Sequence, residues 1–302
     1  MPLAAPLLSW LSAHALLNPE LDAPPELSAW ALMLAANAAL ATSALAAGML
    51  GVLAPYGGFN SDPKDSSLVR FFGPKMNSQL GWYVMELPAL LAGVYALSLT
   101  GVRGFVRRPP HVQLAVACYL THYFNRGVVF PAKRGRSDKY EPCGTFVLGA
   151  VFNSLNGYAL IRYLTHFGAG TVLDDATART WVGAGVFFLG VYVNMMADML
   201  LMKLAEKKHK VTVSKRNKNI KRYAVPGGFF AFNFVTSANY LGELVEWVGF
   251  LLMTWPSPAS ACFVWMTFCN LAPRAYAKHQ RYLKEIPAYG TLGRKALIPF
   301  LF

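Results

Sequence analysis

Charged residues are scarce in this chain of 302 residues, of which only 14% are Asp, Glu, Lys or Arg. A soluble domain carries roughly a quarter of its residues charged. Hydrophobic residues instead account for 55% of the sequence, and the mean hydropathy is +0.34. Several segments reach the ~20 apolar residues that a helix needs to cross a bilayer. The composition therefore excludes an ordinary soluble domain and predicts a polytopic membrane protein.

The motifs by which soluble folds bind metals and nucleotides are also missing. The four cysteines show neither CxxC nor mixed Cys/His spacing, so the sequence indicates no metal site and no disulfide framework. No GxxxxGK[ST] or HExxH sequence occurs. The glycine-rich stretch from Gly183 to Gly190 departs from GxGxxG spacing and lies inside an apolar span, so we interpret it as close helix packing. Any nucleotide must then be held by the helices and loops of a bundle.

Seven apolar stretches follow the N-terminal residues and predict an all-α fold, a membrane bundle of seven transmembrane helices. They cover about 29–53, 82 onward, 112–130, 145–164, 182–204, 237 onward and 259–273. Residues 1–27 contain five prolines and no Lys or Arg, so we expect a tail or an interfacial segment there rather than a signal peptide. Residues 28–302 are expected to form a single domain.

The formal net charge of +13 comes from basic residues that lie in short segments between the apolar stretches. The basic segments after the third, fifth and seventh stretches fall on one side of such a bundle, which the positive-inside rule makes cytosolic. The N-terminus is then luminal or outside, the C-terminus is cytosolic, and the cytosolic loops are about 131–143, 203–236 and 274–302. This placement favours membrane topology and phosphate binding over nucleic-acid binding. The expected location is the endoplasmic reticulum membrane in a eukaryote and the inner membrane in a bacterium.

One apolar stretch, predicted to become helical near Ser237, carries Asn239, Glu243 and Glu246 on a single helix face. A carboxylate in an apolar helix is costly without partners, so this face is predicted to point into the bundle at a functional site. The alternative is a solvated helix end that begins with Asn and Glu. Other polar residues at the same predicted depth are Glu86, Tyr123, Arg126, Asn194, Asp198, Asn270 and Arg274. Together they predict a cavity that opens to the cytosol and suits an anionic, phosphate-bearing ligand.

Four sequence blocks occur in an order that is typical of one known family. They are WYVMELP around Glu86, HYFNR at His122 to Arg126, the stretch with GGFF and ANYLGELVEW from Tyr223 to Trp247, and RKALIPFLF at Arg294 to Phe302. These blocks resemble the steroid 5α-reductases, the 3-oxo-5-alpha-steroid 4-dehydrogenases. The resemblance extends from about Trp82 to the C-terminal end, and its C-terminal block is the strongest.

The resemblance implies a membrane reductase that uses NADPH to reduce the C4–C5 double bond of a 3-oxo-Δ4-steroid. Glu86 and Tyr123 match the family's catalytic pair, which hydrogen-bonds the 3-keto oxygen of the substrate. Donors placed there would stabilise the negative charge that develops on this oxygen in the transition state. Tyr123 would donate directly, and Glu86 in an apolar span is expected to be protonated and able to donate as well. Trp82 matches an aromatic wall of the steroid pocket.

The resemblance also implies a set of cofactor-binding residues, in which Arg suits phosphates while Asn and Glu suit ribose hydroxyls and the carboxamide. The matching residues are Arg126, Arg134, Arg136, Asn194, Asp198, Tyr223, Asn239, Glu243, His279, Tyr282 and Arg294. The chain departs from the family pattern at Met85, Ala205, Lys278 and Asn270. Because Glu86 and Tyr123 are intact, these departures bear on the substrate rather than on the reaction. The expected partners are a steroid or another lipid enone and membrane lipids, without nucleic acid, and the expected state is a monomer.

Three other functions remain open from the sequence. The first is a related membrane reductase that acts on a polyprenyl, an enoyl thioester or another sterol enone. The second is a membrane methyltransferase, whose C-terminal helices can look similar but in which Glu86 and Tyr123 would have no role. The third is a sterol-binding protein without catalytic activity. The nucleotide that co-purifies with the protein would separate the reductases from the other two.

Overall fold

The computed structural model describes residues 4–18, 20–21, 24–54, 70–134, 139–215, 225–286 and 288–302. The helices are α1 Ala5–Ala13, α2 Pro24–Met49, α3 Ser78–Val106, α4 Pro110–Phe124, α5 Phe130–Arg134, α6 Cys143–Arg162, α7 Ala178–Lys215, α8 Ala231–Phe234, α9 Ala238–Met253 and α10 Pro258–Glu285. Strands β1 Lys75–Asn77 and β2 Tyr140–Pro142 pair antiparallel, with Met76 opposite Glu141. The prediction of a mainly helical fold is confirmed, and the described residues also contain this two-stranded ribbon.

Four helices are long and apolar enough to cross a membrane, judged over the described residues by length and composition. They cover Pro25–Met49, Ser78–Val106, Cys143–Phe167 and Ala178–Glu206. Helix α9 has 16 residues, which is shorter than the ~20 that a full span needs, whereas α4 continues through a π-helical turn and α5 to Arg134. Helix α10 is longer, but its second half carries Arg274, Lys278 and Arg281. A membrane protein is therefore indicated by four helices, and the other three spans stay a prediction.

The ends of these helices follow from local sequence signals. Pro110 and Pro258 occupy first-turn positions of α4 and α10, where the missing N–H of proline has no cost. The side chain of Asn77 caps α3 by accepting hydrogen bonds from the backbone of Gln79 and Leu80. Helix α3 is interrupted at Gly101, whose φ of 70° and ψ of 161° favour glycine.

The core lies where the N-terminal region meets α6 and its π-helical extension, Tyr163–Phe167. Trp30 of α2 is fully buried, stacks on Tyr163 at 5.6 Å and donates to the carbonyl of Ala159 at 3.0 Å. The hydroxyl of Tyr163 in turn donates to the carbonyl of Leu16 at 2.9 Å. Part of the segment predicted as a tail thus packs on the bundle, with Leu11 of α1 fully buried. Its interfacial placement stays a prediction.

The segments predicted as cytosolic loops are partly helical. Helix α7 continues from the predicted end near 204 to Lys215, and α10 continues from 273 to Glu285. The segment 131–143 begins as α5, whose last residue is Arg134, and ends in β2. Residues such as Leu, Ala, Glu and Lys favour helix, so these helices extend past the apolar stretches that defined the predicted spans.

Candidate active site

The two residues predicted to be catalytic lie on neighbouring helices that touch. Glu86 is on α3, and Tyr123 is in the last turn of α4. A π-helical turn, Asn125–Val129, follows α4, and a Cβ added to its Gly127 would lie 3.1 Å from the backbone nitrogen of Leu87 and 3.3 Å from the carbonyl carbon of Glu86. The glycine therefore lets the turn contact α3 beside Glu86. Tyr123 is 4% exposed and close enough to interact electrostatically with Glu86.

Aromatic rings from two helices, α4 and α9, pack against Tyr123. Its ring lies 4.7 Å from that of Tyr119, and Trp247 of α9 stacks on it at 6.1 Å between centroids. Trp247 is 1% exposed and packs edge-on against Phe263 of α10 at 4.4 Å. A tyrosine hydroxyl carries one donor, so that of Tyr123 can donate to an added acceptor.

Arg126 is the centre of a buried ionic network. Its guanidinium lies 3.0 Å from a carboxylate oxygen of Asp198 on α7 and 3.6 Å from one of Glu243 on α9. The indole N–H of Trp82 on α3 donates to the carbonyl of Arg126 at 3.1 Å, and the guanidinium lies 5.2 Å from the Trp82 ring centroid. Arg126 thus joins α3, the π-helical turn, α7 and α9, and its buried charge is paired on two sides.

Two asparagines extend this network along the α7–α9 contact. The side-chain amide of Asn239 donates to Asp198 at 3.0 Å, and that of Asn194 donates to the carbonyl of Asn239 at 2.9 Å. The side-chain oxygen of Asn239 is buried and has no partner among the described residues. A buried polar atom without a partner is unusual, so this oxygen is a candidate ligand contact. Five of the predicted cofactor residues are joined in this way: Arg126, Asn194, Asp198, Asn239 and Glu243.

Glycines bring the backbones of α7 and α9 into direct contact. A Cβ on Gly190 would lie 2.2 Å from the backbone nitrogen of Glu246, and one on Gly242 would lie 2.3 Å from that of Asn194. Gly183 and Gly249 make equally close approaches. The interpretation of the Gly183 to Gly190 stretch as helix packing is therefore confirmed at both its ends. It does not extend to Gly185, where a Cβ would meet nothing within 4 Å.

A second cluster forms around Thr236, three residues before Asn239. The hydroxyl of Thr236 lies 2.6 Å from Nδ1 of His279 and 2.7 Å from the hydroxyl of Tyr289. Tyr282 is 4% exposed and packs edge-on against Tyr289 at 5.1 Å. The predicted residues His279 and Tyr282 are thus brought next to the segment that leads into the Arg126 network.

The C-terminal segment pairs with this same stretch. The backbone nitrogen of Thr236 donates to the carbonyl of Lys295, and that of Lys295 donates to the carbonyl of Phe234, both at 2.8 Å. Arg294 donates to the carbonyl of Pro226 at 2.9 Å. Arg294 therefore also lies beside the segment that connects the two clusters.

Comparison with known proteins gives a consistent result. Residues 139–302 match the family model described as 3-oxo-5-alpha-steroid 4-dehydrogenase. The chain is 31% identical over 260 residues to the steroid 5-alpha-reductase DET2 of Arabidopsis thaliana, which covers 82% of this chain and 88% of the relative. The chain belongs to the 3-oxo-5-alpha-steroid 4-dehydrogenase family. The family resemblance of the four sequence blocks is thereby confirmed, and its members are oxidoreductases that act on CH–CH bonds.

Animal members of the 3-oxo-5-alpha-steroid 4-dehydrogenase family are equally similar. The human 3-oxo-5-alpha-steroid 4-dehydrogenase 1 is 32% identical over 230 residues, covering 76% of this chain and 82% of the relative. The rat 3-oxo-5-alpha-steroid 4-dehydrogenase 2 is 31% identical over 271 residues, covering 89% and 96%. An alignment over 89% of the chain must begin well before Trp82. The similarity thus extends further toward the N-terminus than the sequence blocks suggested.

The remaining residues that the family resemblance singled out lie at the edge of the network or outside the described residues. The ring of Trp82 packs against that of Phe130 at 5.3 Å, and the guanidinium of Arg134 lies 5.7 Å from the centroid of the Trp82 ring. Trp82, predicted as a wall of the steroid pocket, therefore contacts the two arginines and Phe130. Arg136 and Tyr223 fall outside the described residues.

Two residues at the site, His122 and Lys278, were not among the predicted site residues. His122 hydrogen-bonds Glu246 across the α4–α9 contact, and Glu246 shares the helix face that was predicted from Asn239 and Glu243. Lys278 lies beyond the predicted end of the last span and interacts electrostatically with Asp198. Desolvation lowers the pKa of Lys278 to about 8, and the negative charge of Asp198 opposes that shift. The sequence signal for Lys278 was its departure from the family pattern.

Two clefts lie away from the Glu86–Tyr123 pair. One of about 210 Å³ is between α2 and α10 and is lined by Ala44, Phe72, Asn270 and Arg274 among others. One of about 810 Å³ lies between the N-terminal region and the loop after α6, lined by Asn18 and Asp175 among others. The four cysteines are free thiols, and the described residues contain no cluster of His, Cys, Asp and Glu suited to a metal ion.

Proposed function

We propose that the chain catalyses the NADPH-dependent reduction of the C4–C5 double bond of a 3-oxo-Δ4-steroid. The observation that carries the proposal is that Glu86 lies where α3 meets the turn that follows Tyr123, beside buried aromatic rings and the Arg126 network. Membership of a family whose relatives are named steroid 5-alpha-reductases supports the steroid as substrate class.

The reaction requires hydride transfer to the steroid and stabilisation of the charge that develops on its 3-keto oxygen. NADPH, when bound, supplies the hydride that adds to C5 of the enone. As the hydride adds, the electrons of the C4–C5 double bond move toward the 3-keto oxygen to form an enolate, and C4 of this enolate then takes a proton that comes from solvent. The hydroxyl of Tyr123 and the protonated carboxyl of Glu86 donate hydrogen bonds to that oxygen and stabilise its developing charge. The rings of Tyr119 and Trp247 hold the phenol in place and keep water away from it.

The residues of the Arg126 network and of the cluster around Thr236 fit the dinucleotide NADPH. The buried, unpartnered oxygen of Asn239 can accept from an amide or a hydroxyl, and the carboxylate of Glu243 can accept from ribose. Asp198 and Glu243 already pair with Arg126, so the phosphates need further cations. Arg134, Lys278 and Arg294 are the described cations we assign to them, with His279 and Tyr282 alongside. More cations than a pyrophosphate requires favour the additional 2′-phosphate of NADPH.

The proposed arrangement in the membrane uses seven spanning helices, namely α2, α3, α4, α6, α7, α9 and α10. With basic segments on the cytosolic side, the N-terminus is luminal or outside, and the cofactor clusters face the cytosol. A steroid can reach Tyr123 from the bilayer, whereas the cofactor reaches Asn239 from the aqueous side. We propose that the protein acts as a monomer.

The test uses purified protein in detergent, a 4-en-3-one steroid and NADPH, with product analysis by mass spectrometry. Glu86→Gln and Tyr123→Phe are each expected to lower turnover by about 10²–10³-fold, because a donor to the developing oxyanion is lost. Both variants should keep their affinity for NADPH. Tyr95→Phe is the matched control, since Tyr95 is exposed on α3 and should tolerate the same change. Near-normal reduction by both active-site variants would refute the assignment.

A further inference from the structure

A buried hydrogen bond joins α4 and α9 one residue away from the proposed catalytic tyrosine. Nδ1 of His122 lies 2.5 Å from a carboxylate oxygen of Glu246, and the two side chains are 7% and 1% exposed. Burying two ionisable groups in an apolar bundle is costly, and replacing such a pair by apolar residues often stabilises a protein. Neither residue has a role in the chemistry proposed above. The pair therefore calls for a function other than stability.

The residues that follow this pair, Tyr123 on α4 and Trp247 on α9, also pack against each other. Trp247 follows Glu246, and its ring packs edge-on against His122 at 4.6 Å and stacks on Tyr123 at 6.1 Å. His122 itself packs edge-on against Tyr123 at 5.0 Å. The rings of His122 and Trp247 thus both pack against Tyr123, and the hydrogen bond between His122 and Glu246 joins the two helices that carry them.

The backbone of Glu246 is in close contact with Gly190 of α7. A Cβ on Gly190 would lie 2.2 Å from the backbone nitrogen of Glu246 and 2.7 Å from its Cβ, so α9 rests directly on α7 at this residue. Glu246 thus lies at the direct contact between α7 and α9, the two helices that also carry Asp198 and Glu243 of the Arg126 network. A chain of direct contacts therefore connects α7 to Glu246, Glu246 to His122, and His122 to Tyr123.

We propose that His122 and Glu246 are positioning residues for Tyr123. Their hydrogen bond fixes the last turn of α4 against α9, so that the phenol hydroxyl keeps the orientation needed to donate to the 3-keto oxygen. The pair touches neither substrate nor cofactor in this role and acts through Tyr123. The inference rests on the proposed function, in which Tyr123 is the direct donor.

Two variants, one double and one single, separate positioning from stability. In the double variant His122→Phe/Glu246→Leu, both polar partners become apolar, which leaves no buried charge without a partner and is compatible with folding. The single variant His122→Asn keeps a donor near the place of Nδ1 and should still bind Glu246. Ser260→Ala is the control, because Ser260 is buried after α9 and bonds to Thr254 at 2.7 Å, away from Tyr123.

The double variant is expected to keep its affinity for NADPH and its KM for the steroid but to lose roughly 10–100-fold in kcat, as for a misplaced catalytic group. The single variant His122→Asn should retain most of the wild-type kcat. Ser260→Ala should lower the thermal midpoint and leave kcat unchanged. In a Tyr123→Phe background, the double substitution should cause no further loss, because the residue that it positions is already gone.

Other outcomes overturn the proposal in distinguishable ways. An unchanged kcat in the double variant, or an equal loss with and without Tyr123, would make the pair purely structural while leaving the reductase function intact. Wild-type turnover by Tyr123→Phe alone would refute both the direct donor and its positioning pair. A wild-type protein that reduces no 4-en-3-one would show that the proposed function itself fails.

Discussion

Replacing Gly242 with alanine tests whether the glycine contact between α7 and α9 holds the cofactor network together. The added Cβ would lie 2.3 Å from the backbone nitrogen of Asn194 and 2.7 Å from its Cα. Ordinary contact begins at 3.4 Å, so the two backbones must separate locally by about 1.1 Å. Neither neighbour is the end of a flexible side chain that could turn away.

The cost of this separation can be worked from the contacts on either side. Forcing an extra methyl into a packed interface typically costs about 1–3 kcal/mol. The hydrogen bond from Asn194 to the carbonyl of Asn239 is 2.9 Å long and would stretch beyond hydrogen-bonding distance. Losing it adds roughly 0.5–1.5 kcal/mol. The variant should therefore lose about 1.5–4.5 kcal/mol of stability in total.

The assay is thermal unfolding in detergent together with NADPH titration, with Gly185→Ala as the matched control. A Cβ on Gly185 meets nothing within 4 Å, so alanine there should be neutral or stabilise α7 by up to about 1 kcal/mol. Gly242→Ala should lower the thermal midpoint and weaken NADPH binding by roughly tenfold or more, since Asn239 moves with α9. Equal behaviour of the two alanine variants would refute the reasoning.

Three further predictions concern the cofactor and the core. Asn239→Ala should weaken NADPH binding by roughly one to two decades at an unchanged steroid KM, and a change confined to the steroid KM would refute its assignment to the cofactor. NADPH affinity should fall between about pH 7 and pH 9 as Lys278, with a pKa of about 8, loses its positive charge, and Lys278→Met should bind weakly without that pH dependence. Trp30→Phe removes the donor to Ala159 and should lower the free energy of unfolding by about 1 kcal/mol without changing kcat, which a denaturant titration and turnover can check together.

The sequence predicted well those features that depend on neighbours along the chain. The helix expected near Ser237 begins at Ala238 with Ser237 as its N-cap, because loop glycines and a change to helical periodicity mark that boundary locally. Asn239 and Glu243 contact Asp198 and Arg126, as expected for polar residues of an apolar helix that need partners. The roles of these residues in binding a cofactor stay a prediction.

Features that depend on how helices meet could not be predicted in this way. Glu246 shares a face with Glu243, yet its partner His122 lies 124 residues earlier, and nothing in the spacing indicates which helix packs there. The pairing of Lys295 with Phe234 and Thr236 is equally remote, since an extended segment of this length carries no alternating pattern. The extension of α7 to Lys215 was missed for another reason, because the prediction followed hydropathy and the helix continues into a basic segment.

The π-helical turn at Asn125–Val129 makes the number of residues in this part of the chain as important as their identity. A turn of this kind contains about one residue more than an α-helical turn and is found mostly as a single local insertion. Tyr123 lies before the turn, whereas Phe130 and Arg134, which pack on Trp82, lie after it. Deleting one residue between them would restore a regular helix and rotate everything after it by about 100° relative to Tyr123. An insertion or deletion in this segment would therefore displace Phe130 and Arg134 relative to Tyr123, so the number of residues here constrains the site as their identities do.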